Sequence, residues 1–175
     1  MTIDKKVLLP EEPYIQGRDS RKAFLVGGGI GVAAEGKSAA QVFKAYMEKN
    51  NIDLGKIVVD SFEDNIRKDR ILILRDDSSY KLNLKVNVYG FAESRFLGLV
   101  TPEVYRKPLM NISATMVDIN GMVIWQKTGY VTSNSDKVTE YTFEELAKNP
   151  SKTIESLSEI AALVASELMD DFRSN

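Results

Sequence analysis

The sequence predicts a single α+β domain: an antiparallel or mixed sheet of about five strands with helices packed mainly on one face. Three observations carry that expectation. Tyr80–Phe91 alternates Leu82, Leu84, Val86 and Val88 inward against Lys81, Asn83, Lys85 and Asn87 outward, the period of two of a strand with one buried face. Met110–Val131 reads as a hairpin, with strands Asn111–Val117 and Met122–Tyr130 joined by a tight turn at Asp118, Ile119, Asn120 and Gly121. Ser151–Phe172 carries Ile154, Leu157, Ala161, Val164, Leu168 and Phe172 on one stripe, widened by Ile160 and Leu163, a helix face broad enough to lie on a sheet.

Composition bounds the function classes. A chain of 175 residues, 43% hydrophobic and 27% charged, is ordinary globular material. A domain of that length buries roughly 70% of its unfolded surface. A formal net charge of −2 argues against a nucleic-acid surface, which concentrates Lys and Arg to neutralise phosphates, so no nucleic-acid partner is expected. The chain has no histidine, which removes Ser-His-Asp triads, His-ligated zinc and most general-base schemes. It has no cysteine, which removes thiol catalysis, disulfides and iron–sulfur clusters. What remains for catalysis is carboxylates, Lys, Tyr, Ser and Thr, and no cofactor or metal is expected. No apolar run approaches the roughly 20 residues of a spanning helix, and no signal peptide is written into the chain.

Residues 1–21 carry Pro10, Pro13, scattered charge and only Val7, Leu8 and Leu9 as an apolar cluster. They read as an extended arm lying on the domain or loose in solvent, with the α+β domain occupying 22–175. Lys22–Val26 is expected as a short strand running into Gly27, Gly28, Gly29, Ile30 and Gly31. Gly31, Gly36, Lys37 and Ser38 then fit the phosphate-loop pattern, in which backbone amides cradle phosphates, the lysine reaches the terminal ones and the hydroxyl binds magnesium. Such a loop needs an acid at the end of a later strand to hold the metal. The run that offers one, Ile57, Val58, Val59 and Asp60, sits among Leu54, Phe62 and Ile66 at helical spacing, which puts Asp60 on a solvated flank. Hairpins follow, where nucleotide-binding domains alternate strand and helix. The expected reading is a glycine-rich connector into a Ser38-capped helix, and a nucleotide binder using Gly31, Gly36, Lys37 and Ser38 is the alternative.

Ser38–Lys49 presents Ala39, Val42, Phe43, Tyr46 and Met47, and stops at Asn50–Asn51; Asp53 caps a second helix to about Lys68, or the two form one bent helix. Ile71–Arg75 is a strand candidate before the turn Asp76–Ser79, whose paired acids suit a turn better than a cation site. Ala92–Pro108 shows no clear period and bears Phe96, Leu97, Leu99, Val100, Val104 and Tyr105. Long loops of this kind are often functional, so these residues are the candidate partner contacts, against the reading of a lid folded on the sheet. At the hairpin, a type I turn with a bulge is favoured over a two-residue turn at Asn120-Gly121. It sets Ile124 beside Met116 on the apolar face and Trp125 on the other, which must then be partly covered. Thr132–Val138 is polar linker, and Thr142 with Glu145 forms a capping box opening a short helix that Asn149-Pro150 ends. Glu155, Glu159, Glu167, Asp170 and Asp171 line the solvated side of the last helix.

The glycine-rich stretch, NNIDLGKIVVDSF, YKLNLKVNVYGF, the hairpin VDINGMVIWQKTGY and the closing amphipathic helix resemble, in that order, bacterial envelope lipoproteins. More distantly, the element order is similar to the α/β domains of the curli-secretion lipoprotein, of lipoprotein activators of penicillin-binding proteins, and of the amino-terminal domain of the Tol-system periplasmic protein. The similarity spans roughly Lys22–Phe172 and rests on element order and on the D-x-x-G-x-x-x-W hairpin from Asp118 to Trp125. It implies a non-enzymatic periplasmic or outer-membrane-anchored role, another envelope protein as partner with self-association as an option, and membrane attachment only through a lipid anchor that this chain lacks. The lipid-bearing cysteine and its signal are missing, so the envelope assignment expects a mature or truncated form with Met1 replacing what preceded it; a chain complete as written is expected in the cytoplasm. Contact with the partner is expected through the Ala92–Pro108 loop or an exposed sheet edge.

Overall fold

The computed structural model of the chain describes residues 1–17, 20–30, 36–68, 73–94 and 105–174. In chain order its elements are β1 (Thr2–Ile3), β2 (Tyr14–Ile15), α1 (Ser20–Val26), α2 (Ala39–Lys49), α3 (Leu54–Lys68), β3 (Lys81–Glu93), β4 (Tyr105–Val117), β5 (Val123–Val131), β6 (Tyr141–Thr142), α4 (Phe143–Lys148) and α5 (Pro150–Ser174). β3, β4 and β5 form an antiparallel meander; β1 and β2 add in parallel to the far edge of β3, and β6 pairs with the start of β4. The result is the expected α+β domain with a mixed sheet, here of six strands.

Residues 1–17 lie along β3. The amides of Thr2, Asp4, Leu8 and Gln16 donate to the carbonyls of Tyr80, Leu82, Leu84 and Phe91 at 2.9, 2.9, 3.1 and 3.0 Å. This occupies the edge that the expected strand Ile71–Arg75 would have taken. Ile71 and Leu72 lie outside the described residues, and Ile73–Arg75 form no strand but tie to the chain start, with Met1 donating to Ile73 at 2.8 Å and accepting from Arg75 at 3.0 Å.

Lys22–Val26 belongs to helix α1, not to a strand. Phe24 is buried while Lys22 and Val26, which would share its face in a strand, are exposed; Ser20, one helical turn away, is buried with it. Phe24 packs against Phe43, Tyr46 and Phe143 at ring distances of 4.9, 5.0 and 5.5 Å. The caps read from the sequence are in place. Ser38 forms a reciprocal capping box with Gln41, Thr142 does so with Glu145, and Asp53 Oδ1 accepts from the Lys56 amide at 3.0 Å. Asn51 has φ of 52°, which separates α2 from α3. Pro150 opens α5 as its first residue, where its missing N–H is harmless. Ile154 turns outward, and Thr153 takes the buried place, its hydroxyl donating to Leu146 O at 3.2 Å.

Two bulges set which side chains face the helices. Val86 pairs with Ile112 but Val88 with Asn111, so Asn87 is an extra residue in β3. Beyond it the inward set changes parity: Val88, expected inside, is exposed, and Tyr89 and Phe91 are buried. At the hairpin turn the Gly121 amide donates to Asp118 O at 3.0 Å and Gly121 has φ of 79°, as the favoured bulged turn requires. The side-chain consequence is the reverse of that expected. Val117 pairs with Val123 and Met116 with Trp125, which leaves Ile124 as the bulged residue pointing out and brings Trp125 to the helix side, 5.3 Å from Phe172.

Gly90 and Gly121 make a contrasting pair. Gly90 has φ of +146°, and a Cβ there would lie 1.8 Å from the Tyr14 carbonyl oxygen; Gly121 has φ of +79° with open space around it. Gly121→Ala is expected to cost about 1 kcal/mol, the left-handed backbone penalty alone. Gly90→Ala is expected to cost more than about 2 kcal/mol and to release β2, read as lower urea stability together with lost hydrogen-exchange protection at the Gln16 amide.

Candidate functional site

The candidate contact residues sit between β3 and β4. Phe96, Leu97, Leu99, Val100 and Val104 lie outside the described residues. Tyr105 is described and is not a loop residue: it heads β4, half-buried, opposite Thr142, and its carbonyl accepts from the Ser94 amide at 3.2 Å. The described ends of Ala92–Pro108 are therefore strand. Arg106, Lys107, Pro108, Leu109 and Met110 are buried in unbroken succession, so both sheet faces are covered at this end and no alternation survives in the sequence.

Two of those residues are buried cations on opposite faces. Arg106 reaches Glu93 across the strand pair at 3.1 Å and lies 4.9 Å from the Phe143 ring; it packs so closely on Gly17 that a Cβ there would meet its guanidinium at 2.3 Å. Lys107 donates to Ser135 O and pairs with Glu140, both at 3.1 Å, which fastens the segment between β5 and β6 to the sheet. Removing either partner would strand a buried charge, so these pairs pin the chain where β3 and β4 diverge. Sequence reasoning missed both. The usable signal was an Arg-Lys pair followed directly by apolar strand residues.

The glycine–lysine motif lacks the setting that its pattern needs. Gly31 lies outside the described residues, and the element before it is helix α1. Ser38 uses its hydroxyl to accept from the Gln41 amide at 3.1 Å, and Lys37 is exposed. Asp60 stands on α3, 2.5 Å from Lys56.

The sheet itself offers the most extended surface. Phe91 meets Phe43 of α2 and Phe143 of α4, and Gly129 meets Val164 and Leu168 of α5, so the described helices share one side. The opposite face bears Asn83, Lys85 and Val88 from β3, Asn111, Ser113 and Thr115 from β4, and Gln126, Thr128 and Tyr130 from β5. Asn87, in the bulge, donates to Asn111 Oδ1 at 2.7 Å and to Ser113 Oγ at 2.8 Å, and Ser113 meets Thr128 at 2.8 Å. Among the described residues the partial covering expected for this face is confined to its end at Lys107 and Leu109, where both residues are buried and Lys107 is tied to Ser135 and Glu140; further along, Lys85, Val88, Gln126, Thr128 and Tyr130 are exposed. β5 has no described strand on its outer edge, and a cleft of about 480 Å³ runs between that edge at Tyr130–Thr132 and α5 at Leu163, Glu167 and Asp170.

Not all the acids of α5 are simply solvated. Glu159 accepts from the Thr139 amide at 2.8 Å. Asp171 takes Lys127 Nζ at 2.8 Å and the Trp125 indole N–H at 3.3 Å, and these hydrogen bonds, Lys127 first, hold its carboxyl below the ordinary value while raising the Lys127 ammonium. Burial, with the Glu48 charge nearby, pushes the Tyr89 phenol up to about 12. Among the described residues no cluster of three acids could hold a metal ion, and no helix is long and apolar enough to cross a membrane.

No protein-family model matches the chain, and no curated protein does. Solved structures do. A protein assigned as a lipoprotein from Caulobacter crescentus CB15 is 19% identical over 69% of this chain and 78% of that one, with a TM-score of 0.39. A minor lipoprotein from Acinetobacter baumannii is 14% identical over 66% and 78%, with a TM-score of 0.37. The likeness is one of partial architecture to two bacterial lipoproteins, and neither bears a curli, penicillin-binding-protein or Tol name.

A carboxyl with a depressed folded-state pKa lends stability above its unfolded value and loses it as pH falls through the folded one. Asp171→Asn should therefore lower the urea midpoint at neutral pH. The gap from the parent should close only once the pH drops below the ordinary carboxylate value of 3.8. Trp125 emission, sensitive to the same contact, reports the unfolding.

Proposed function

We propose that this domain works in the bacterial cell envelope as a non-enzymatic lipoprotein module that binds another protein through the open face of its sheet and the adjoining edge of β5. The observation that carries the reading is the one-sided stretch of sheet: three long strands are buried against helices on one side and present an amide- and hydroxyl-lined surface on the other. Such a face, with Tyr130 and Val88 among its polar groups, has the mixed composition of a protein interface. The edge of β5 adds unpaired backbone donors and acceptors that an extended partner segment can complete. Lys127 and the bulge at Ile124 guard the same edge against indiscriminate pairing. The envelope location is supported by the resemblance in element order and in the Asp118–Trp125 hairpin. Phe96, Leu97, Leu99, Val100 and Val104 join the proposed contact on their apolar sequence alone.

A photo-crosslinking amino acid placed at Gln126 or Tyr130, in cells of the native bacterium, is expected to give one discrete adduct of higher mass, which Lys85→Glu weakens. The same group at Lys44, exposed on α2, is expected to give none. Equal adducts from all three positions, or none from Gln126 and Tyr130, would contradict the proposal.

A further inference from the structure

The β4–β5 hairpin ends in an apolar tip. Ile119, Met122, Val123 and Ile124 are 80, 63, 53 and 45% exposed. The turn that presents them is closed on itself. Asp118 donates its amide to Met122 O at 2.9 Å, its carbonyl accepts from Gly121, and its side chain accepts from the amides of Asn120 and Met122 at 2.9 and 2.8 Å. A turn so satisfied can shed water with little loss of hydrogen bonding, which is what an apolar medium demands of a backbone.

The tip does not stand alone. Thr2 pairs with Lys81, Lys81 with Val117 and Val117 with Val123, so the entry of the chain into the sheet lies in one row with the base of the tip, roughly 10 Å from Val117 and about 14 Å from Val123 at the usual strand spacing. Ile73 and Tyr80, bonded to Met1 and Thr2, are exposed at the same end. Six of the thirteen large hydrophobic side chains exposed among the described residues thus gather at one end of the sheet: Ile73, Tyr80, Ile119, Met122, Val123 and Ile124. Two nearby cations are paired, Lys81 with Asp4 at 2.7 Å and Lys127 with Asp171, while Arg75, Asp76 and Asp77 are exposed at the same end.

We propose that this end rests on a lipid bilayer, with the Ile119–Ile124 tip dipping into the boundary between headgroups and acyl chains and Tyr80 at the headgroup level. A projecting, aliphatic, internally bonded turn has the shape and chemistry of a shallow membrane anchor, whereas a protein partner would have to supply a matching pocket. Asp76 and Asp77, on the turn beside Tyr80, stay in the aqueous layer and give no advantage to anionic lipid. The contact is distinct from the lipid anchor that the family resemblance implies. Met1 and Thr2 lie at this same end; that a bilayer is at hand rests on the envelope reading, and the exposure of the tip does not.

The test is flotation of the full chain with phosphatidylcholine vesicles, with and without phosphatidylglycerol. The parent protein should float with both at millimolar lipid, and Ile119→Ser/Met122→Ser should cut the bound fraction at least ~10-fold while keeping the parent circular dichroism. Ile119→Ser alone serves if the double variant melts early. Lys85→Glu, on the open face, should float as the parent does, which separates this proposal from the protein-binding one. No flotation of the parent, unaltered flotation of the serine variants, or flotation only with phosphatidylglycerol would overturn it.

Discussion

Helix α5 comes so close to β5 at Gly129 that a Cβ there would lie 3.0 Å from Leu168 and 3.1 Å from Val164, and the rest of the architecture depends on that approach. With the helix drawn in, Leu168 and Val164 bury fully against the meander, each stabilising by about 1.5–3 kcal/mol relative to exposure. Trp125 and Lys127, four and two residues earlier on the same face, then reach Phe172 and Asp171 one turn further along the helix. α3 docks against α5, with Asn65 donating to Ala162 O at 3.4 Å. α5, seated at Gly129, closes the β5 end of one side of the sheet, and α2 and α4 close the same side over Phe91.

β3 serves the opposite end of the design. It is paired on both edges, with β4 along its full length and with the amino-terminal residues along the other side. The bulge at Asn87 lets one strand satisfy two different surroundings. Before it, Leu82, Leu84 and Val86 face the core; after it, Tyr89 and Phe91 do, where α2 and α4 supply aromatic partners. The extra residue is not wasted, since its amide links Asn111 and Ser113 into the polar network of the open face.

Legibility in the sequence followed how local each cause was. The Ser38 and Asp53 caps, the capping box at Thr142 and the first half of β3 were readable because they depend on residues within a turn or on an unbroken alternation. The helix α1 was not, because five residues such as Lys22–Val26 suit either period and only the distant Phe43 and Phe143 decide between them. The side of Trp125 was lost for a similar reason: the turn was read correctly, but a second bulge at Ile124 reversed its consequence. Arg106 and Lys107 hid the start of β4, since charged residues in a doubly covered strand break the pattern by which strands are recognised. The candidate contacts were legible as apolar residues and no further.

The central claim is that the sheet, past its doubly covered end at Lys107 and Leu109, is closed on one face and open on the other. The chain contains no cysteine, so single-cysteine variants report side-chain access without interference. Ser113, Ala114 and Thr115 are consecutive in β4 and alternate between the two sides, with Ala114 fully buried. Maleimide labelling of Ser113→Cys and Thr115→Cys is expected within a few-fold of the unfolded rate, and that of Ala114→Cys only as fast as the protein unfolds. Protection of all three alike would mean that both faces are covered, and would contradict the account.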